Sequence, residues 1–139
     1  VNADGVHLGL DDMHIQEARK ILGKEKIIGG TANTQEDCFN RIKDGANYIG
    51  LGPFRHTKTK KKLSPILGIN GYQSILNNEV TIPVVAIGGI TLADMTELKN
   101  KTSVHGVALS GLIRSAANKT ALVTSINEVW HDEQLSVSE

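Results

Sequence analysis

Five short apolar runs, each rich in branched side chains and each leading into glycine, recur along this sequence. None of them alternates regularly between apolar and polar residues. Continuous apolarity over roughly four to eight residues is typical of strands that are covered on both faces, as in parallel sheets. We therefore predict five parallel β-strands. The runs are Gly5-Val6-His7-Leu8-Gly9, Lys26-Ile27-Ile28-Gly29-Gly30, Tyr48-Ile49-Gly50-Leu51-Gly52, Val84-Val85-Ala86-Ile87-Gly88-Gly89 and Gly106-Val107-Ala108-Leu109-Ser110-Gly111.

The segments between these runs have the apolar spacing and the terminal residues of helices. Ile15, Ala18 and Ile21 recur at helical spacing, and Gly23 follows as a stop. Elsewhere two threonines stand three residues before an aspartate, which is an acidic variant of the capping box. We expect helices after Asp12, after Thr34 and after Thr91, and weaker patterns indicate two more, from Tyr72 to Leu76 and from about Ala116 to Trp130.

Strands that alternate with helices require right-handed crossovers and a parallel sheet with helices outside it. This leaves an open doubly wound sheet or an arc of an eight-stranded barrel. A Rossmann fingerprint is absent, since Gly50-Leu51-Gly52 continues into Pro53. The last two runs end in Gly88-Gly89 and Ser110-Gly111, where such barrels commonly bind phosphate. We therefore predict an α/β fold that is the C-terminal part, strands four to eight, of a (β/α)8 TIM barrel.

The size of the chain agrees with a partial barrel. It has 139 residues, whereas a complete barrel needs about 200 to 250, and five strands cannot close one. Because the chain does not begin with Met, we expect that residues are missing in front of it. We predict one phosphate-binding domain at 1–131 and a polar C-terminal tail at 132–139.

Composition excludes several classes of function. The 15 basic residues balance the 15 acidic ones, which argues against a nucleic-acid partner or a membrane surface. No apolar run approaches the roughly 20 residues that span a bilayer. The single cysteine, Cys38, cannot form an internal disulfide, so a cytoplasmic location is the simplest interpretation. The five histidines lack ligand spacing, which argues against zinc.

Candidate anion-binding residues follow three of the predicted strands. Gly88-Gly89 lets backbone N–H groups approach a phosphate, with the helix after Thr91 behind it, although paired glycines also simply form turns. Ser110-Gly111 repeats the feature after the last strand. The insertion Thr57-Lys58-Thr59-Lys60-Lys61-Lys62 concentrates hydroxyl and ammonium donors directly after a strand, although a basic run is most often a solvated loop.

Two further candidates lie after the first two strands. Asp12, beside Asp11, is adequate for magnesium (Mg2+), which usually takes one or two carboxylates together with phosphate oxygens and water. Helix capping by Asp12 is at least as good an explanation. Thr31 offers a pocket hydroxyl or caps the next helix. His7, within a strand, is interpreted as a hydrogen-bonded structural residue.

Taken together, these motifs resemble the thiamine phosphate synthase family over nearly the whole chain. The specific combination is Gly50-Leu51-Gly52-Pro53, then Thr57-Lys58-Thr59-Lys60-Lys61, then Ile87-Gly88-Gly89-Ile90. The resemblance implies a (β/α)8 barrel enzyme that uses magnesium. It joins 4-amino-5-hydroxymethyl-2-methylpyrimidine diphosphate to 4-methyl-5-(2-hydroxyethyl)thiazole phosphate, giving thiamine phosphate and diphosphate.

The resemblance also implies the course of the reaction: the pyrimidine methylene carbon is thought to ionise first, so that no protein nucleophile is required. Whether the protein forms a homo-oligomer is left open.

The resemblance further implies roles for individual residues. Carried over by position, Asp12 would bind magnesium, Thr31 would contact the pyrimidine diphosphate, Lys60 would hold the departing diphosphate and be the catalytic residue, and Thr57, Lys58, Thr59, Gly89, Ser110 and Gly111 would bind the thiazole phosphate.

The sequence departs from the family pattern at two positions, where Leu10 replaces a frequent glutamine and Asn33 stands near a frequent histidine. The second departure weakens the hypothesis of a related thiazole tautomerase. The family's N-terminal strands, with a further acidic metal ligand, are absent from this chain. Two more hypotheses stay open: a non-catalytic phosphate-binding half barrel, and a different phosphate-handling barrel enzyme such as an isomerase.

Overall fold

A computed structural model describes residues 1–56 and 65–131, in which parallel strands alternate with helices. All five predicted strands are confirmed, and each pairs in parallel with the next one along the chain. This uninterrupted order has no reversal of the kind that a doubly wound sheet contains, so it favours the arc of a barrel. The strands are β1 (Gly5–Leu8), β2 (Ile27–Ala32), β3 (Tyr48–Leu51), β4 (Val84–Ala86) and β5 (Gly106–Val107).

The predicted helices are all present, and some of them start at a different residue from the one expected. The weak helix expected at Tyr72 begins four residues earlier, and the last one begins at Lys119. A short helix directly after β5 was not predicted. The helices are α1 (Ile15–Leu22), α2 (Gln35–Lys43), α3 (Gly68–Ile75), α4 (Met95–Lys101), which follows a 3-10 turn (Leu92–Asp94), α5 (Gly111–Ser115) and α6 (Lys119–His131).

The threonine–aspartate pairs cap helices as expected. In α2 the N–H of Asp37 donates to Thr34 Oγ1 at 3.0 Å, and the N–H of Thr34 donates back to Asp37 Oδ2 at 3.2 Å. Before α4, the N–H and the hydroxyl of Thr91 both donate to Asp94 Oδ2, at 2.7 and 2.9 Å. These bonds satisfy backbone donors that a helix start leaves without intrahelical partners.

Helix capping by Asp12 is wrong. The N-cap of α1 is His14, whose side chain makes no capping bond. Asp12 lies two residues before that N-cap, in the turn that leaves β1, and its Oδ2 accepts the N–H of Gly9 at 2.7 Å.

The two faces of the sheet differ. One face packs against the helices and forms the core around Ile49, Leu51 and Ala86, with Tyr72 and Leu98 from α3 and α4. The opposite face carries four glycines among larger side chains, and Ile27 there is half exposed. Within the described residues the expectation of two covered faces is therefore wrong. The runs read as continuously apolar because this second face also carries glycine or an apolar side chain at several of its alternate positions: Gly5, Ile27, Gly29, Gly50, Val85 and Gly106.

The structure describes the single cysteine and the lengths of the helices. Cys38 is a buried free thiol, and desolvation raises its pKa to about 11. Such a thiol is a poor nucleophile, so its role is packing in the core. In the described part of the chain, every helix is too short or too polar to cross a membrane.

Candidate functional site

The carboxyl ends of the parallel strands form one edge of the sheet, and the described candidates lie along it. Because neighbouring strands run in the same direction, the loops after β1, β2, β4 and β5 meet at this edge. Four of the predicted residues, Thr57, Lys58, Thr59 and Lys60, lie outside the described residues. The others are Asp12 after β1, Thr31 within β2, Gly89 after β4, and Ser110 and Gly111 after β5.

The turn after β4 requires both of its glycines. Gly88 has φ 93° and Gly89 has φ 66°, in the left-handed region that favours glycine. A Cβ at Gly88 would lie 2.9 Å from Cα of Pro53, and one at Gly89 would lie 2.9 Å from the carbonyl oxygen of Arg55. Conformation and close packing are therefore sufficient to explain this pair of glycines, and phosphate binding stays a prediction.

The same turn is bonded to the loop that follows β3. The N–H of Phe54 donates to the carbonyl of Ile87 at 2.9 Å, and the N–H of Arg55 donates to that of Gly88 at 3.0 Å. These two bonds continue the pairing of β3 with β4 beyond the ends of the strands. They bring the Gly88-Gly89 turn to within two residues of Thr57, where the basic insertion begins.

The far end of the insertion returns to the same place. The N–H of Leu67 donates to the carbonyl of Pro53 at 3.0 Å, and the N–H of Gly68 donates to that of Phe54 at 3.2 Å. Gly52 and Pro53 are joined by a cis peptide bond. Both stems of the segment 57–64 are therefore fixed beside the Gly88-Gly89 turn.

An ion pair that sequence reasoning missed joins these loops. Arg55 Nη1 donates to Asp94 Oδ2 at 2.9 Å, and Nη2 donates to Oδ1 at 3.1 Å. Nη1 also donates to the carbonyl of Gly89 at 2.6 Å. Hydrogen bonds from Arg55 lower the pKa of Asp94 to about 2, and the same pairing raises the pKa of Arg55. The two residues are 39 positions apart, so only the fold brings them together.

The turn after β5 is a different case. Ser110 is the N-cap of α5, and its carbonyl accepts the N–H of Arg114 at 2.9 Å. A Cβ at Gly111 would meet nothing within 4 Å, and Gly111 is not among the glycines with positive φ. Packing within the described chain therefore does not require glycine at position 111, which leaves room for a ligand to approach the backbone there.

Thr31 belongs to a chain of hydrogen bonds across three strands. Its Oγ1 lies 2.9 Å from His7 Nε2, and His7 Nδ1 lies 2.9 Å from the hydroxyl of Tyr48. Thr34 caps α2, so the alternative of Thr31 as a helix cap is wrong. The interpretation of His7 as a hydrogen-bonded residue is confirmed.

Asp12 is the described candidate for magnesium. Its side chain is exposed, and Oδ2 is engaged by the N–H of Gly9 while Oδ1 remains for another partner. Among the described residues no three His, Cys, Asp or Glu side chains form a group that could hold a metal. Magnesium needs few protein ligands when substrate phosphates supply the others, so Asp12 fits as one carboxylate ligand.

Sequence comparison decides the family. Residues 1–113 match the profile of the family described as thiamine monophosphate synthase. The chain belongs to the thiamine monophosphate synthase family. The thiamine-phosphate synthase of Flavobacterium johnsoniae is 60% identical over 132 residues, which cover 92% of this chain and 62% of that protein. The corresponding protein of Phocaeicola vulgatus is 54% identical, with 87% of this chain and 60% of that one covered.

One solved structure agrees with membership of the thiamine monophosphate synthase family. Thiamine phosphate pyrophosphorylase from Pyrococcus furiosus superimposes with a TM-score of 0.82 at 32% identity, covering 95% of this chain and 61% of that one. A 3-hexulose-6-phosphate synthase superimposes with a TM-score of 0.67 at 16% identity, which shows the fold alone. The chain thus spans about three fifths of the length of these relatives.

Proposed function

We propose that the protein carrying this chain is a thiamine-phosphate synthase. It condenses the pyrimidine diphosphate with the thiazole phosphate and releases diphosphate. The named relatives support this activity and do not favour the tautomerase alternative. The observation that carries the proposal is that Phe54 and Arg55, directly before the predicted phosphate-binding segment, are hydrogen-bonded to the strand end and turn at 87–89.

We also propose that the chain supplies strands four to eight of a (β/α)8 barrel. Five parallel strands in chain order form an arc with two open edges. Superposition on about three fifths of the Pyrococcus furiosus protein supports this interpretation. The half-exposed face of the sheet would then line the inside of the barrel, and the remaining strands would cover it.

The proposed site divides the two substrates among neighbouring loops. The hydroxyls of Thr57 and Thr59, with the backbone of Lys58, bind the thiazole phosphate. The backbone at Gly89 and at Ser110-Gly111 donates to the same group from the next two loops. Thr31 donates to the pyrimidine diphosphate, and Lys60 neutralises that diphosphate as it departs.

In the reaction, the bond between the pyrimidine methylene carbon and the diphosphate oxygen breaks, and the diphosphate leaves with the electron pair. The thiazole nitrogen then forms the new C–N bond. Chain residues contribute by holding the nitrogen in line and by stabilising the negative charge that develops on the leaving group. Asp12 would hold magnesium, which when bound neutralises charge on the diphosphate oxygens. The cytoplasmic location and the lack of a nucleic-acid or membrane partner stay predictions.

The role of Lys60 can be tested by comparing Lys60→Ala with Lys62→Ala in the full-length protein. We expect Lys60→Ala to lower kcat by a factor of about 100, since one donor aimed at developing charge contributes on this order. Its melting temperature should stay close to that of the unchanged protein. Lys62→Ala is the matched control within the same basic run and should keep most of the activity.

Two results would contradict the proposal. Equal effects of the two lysine substitutions would show that only the charge of the run matters. A folded full-length protein that forms no thiamine phosphate from both substrates with magnesium would exclude the synthase. If it then still bound the thiazole phosphate, the non-catalytic binding module would be the better interpretation.

A further inference from the structure

Arg55 and Asp94 fix the position of the Gly88-Gly89 turn, and no role in the reaction follows from that alone. We propose that they are positioning residues that aim backbone N–H groups of this turn at the thiazole phosphate. The inference rests on the proposed function, because it concerns one substrate of that reaction. Neither side chain is proposed to touch the substrate.

The carbonyl groups of the turn are held from one side. Arg55 donates hydrogen bonds to two consecutive carbonyl groups. Its backbone N–H donates to the carbonyl oxygen of Gly88 at 3.0 Å, and its Nη1 donates to that of Gly89 at 2.6 Å. In a planar trans peptide unit the C=O and the following N–H point in opposite directions. The N–H groups of Gly89 and Ile90 are therefore directed away from Arg55.

Those two N–H groups are available for an anion. In the part of the chain that the structure describes, neither of them donates to an acceptor. Successive N–H groups in a turn with left-handed residues form a concavity that binds anions. The turn thus presents two donors on the side opposite the guanidinium, and both follow the strand whose end is predicted to bind phosphate.

Asp94 is needed because the arginine alone would not stay in place. Both residues of the turn are glycines, which lack a Cβ and therefore have large conformational freedom. A carboxylate held by both guanidinium nitrogens fixes the orientation of that planar group as well as its distance. Asp94 Oδ2 is itself fixed by the N–H and hydroxyl of Thr91, so the turn is tied to the start of the next helix.

The test compares Arg55→Lys and Asp94→Asn in the full-length protein, with steady-state kinetics for each substrate. Arg55→Lys keeps the charge but loses the planar fork. We expect both variants to raise KM for the thiazole phosphate by roughly tenfold or more, the factor for losing one hydrogen bond from a misaligned N–H of the turn to the charged phosphate. KM for the pyrimidine diphosphate should change by less than about twofold, since the turn is not proposed to contact that substrate. Calorimetric titration with the thiazole phosphate should show the same loss.

Glu97→Gln is the matched control. Glu97 pairs with Lys101 on α4 at 2.7 Å, in an exposed ion pair near Asp94 in sequence. The Glu97→Gln substitution should leave the KM values for both substrates unchanged. A purely structural role for Arg55 and Asp94 would lower the melting temperature and leave the ratio of the two KM values constant.

Three results would overturn the inference. The first is an unchanged thiazole phosphate KM in both variants of an otherwise active enzyme. The second is a loss in Arg55→Lys alone with Asp94→Asn intact, which would make the arginine a direct ligand. The third is a full-length protein without substitutions that forms no thiamine phosphate. This result would overturn the proposed function as well, and it would be seen before any variant is compared.

Discussion

At the scale of single residues, glycines determine what the half-open face of the sheet can hold. The ring of Tyr48 lies directly over Gly29, where an added Cβ would be 2.1 Å from Tyr48 Cζ. In the same way, a Cβ on Gly50 would lie 2.9 Å from His7 Cε1. The hydrogen bonds from Tyr48 through His7 to Thr31 therefore depend on glycine at positions that the sequence alone marks only as strand residues.

We predict that Gly29→Ala destabilises the protein by about 1–3 kcal/mol, the usual cost of forcing a methyl group into a packed position. Gly106→Ala is the control, because a Cβ there would meet nothing within 4 Å. Urea unfolding of both variants would measure the difference. Equal stabilities would mean that the ring of Tyr48 moves aside without cost.

At the same scale, the sequence predicted individual site residues only where they belong to a motif. The positions of Gly89, Ser110 and Thr31 followed from strand ends, which are local patterns. The ion pair of Arg55 and Asp94 could not be predicted from the sequence. The two residues are 39 positions apart, and no local pattern indicates which distant charged residues come into contact. Asp94 was recognised only as the partner of Thr91.

At the scale of elements, local chemistry explains which helices the sequence predicted well. Capping residues placed the start of α2, whereas α5 has only five residues and shows no periodicity. The early start of α3 was missed because Gly68 and Gly71 both argue against a helix. Gly71 has a packing reason, since a Cβ there would lie 2.8 Å from Cβ of Leu67.

The start of α4 should show a pH-dependent stability. The pKa of Asp94 is lowered to about 2 by Arg55, so this carboxylate stabilises the fold above the unfolded pKa of about 4. That contribution is lost as the pH falls from about 4 to about 2. We expect it to be about 1 kcal/mol, because the side chain of Arg55 is 47% exposed and solvent screens the pair.

The measurement is the difference in unfolding free energy between the unchanged protein and Asp94→Asn at several pH values. It should be largest near pH 6 and should shrink towards zero near pH 2. Added salt should reduce it at pH 6. A difference that stays constant with pH would assign the effect to lost hydrogen bonds rather than to the charge.

At the scale of the whole molecule, the described chain is an arc of parallel strands covered on one side by helices. Order and direction of the strands were predictable, because alternating short runs and helices permit few connections. The exposure of the sheet face that the helices do not cover was not predictable, since it depends on which other parts of the protein pack against that face. β1 and β5 are the edges of this sheet, and Ile27 near one of them is half exposed.

We expect residues 1–139, produced alone, to self-associate, because open strand edges with apolar neighbours pair with other chains. Sedimentation velocity at several concentrations would show this as a rising average mass. The full-length protein is the control and should associate less, whatever its native oligomeric state. A monomer of the isolated chain at all concentrations would contradict the expectation.

The bonds between the residues that flank segment 57–64 have a consequence for changes in its length. Because Pro53 and Phe54 hold Leu67 and Gly68 beside them, a change in the number of residues between these two ends carries only a small entropic penalty. A change of length or sequence within 57–64 would therefore leave the Gly88-Gly89 turn in place, because the bonds that hold this turn come from residues before that segment.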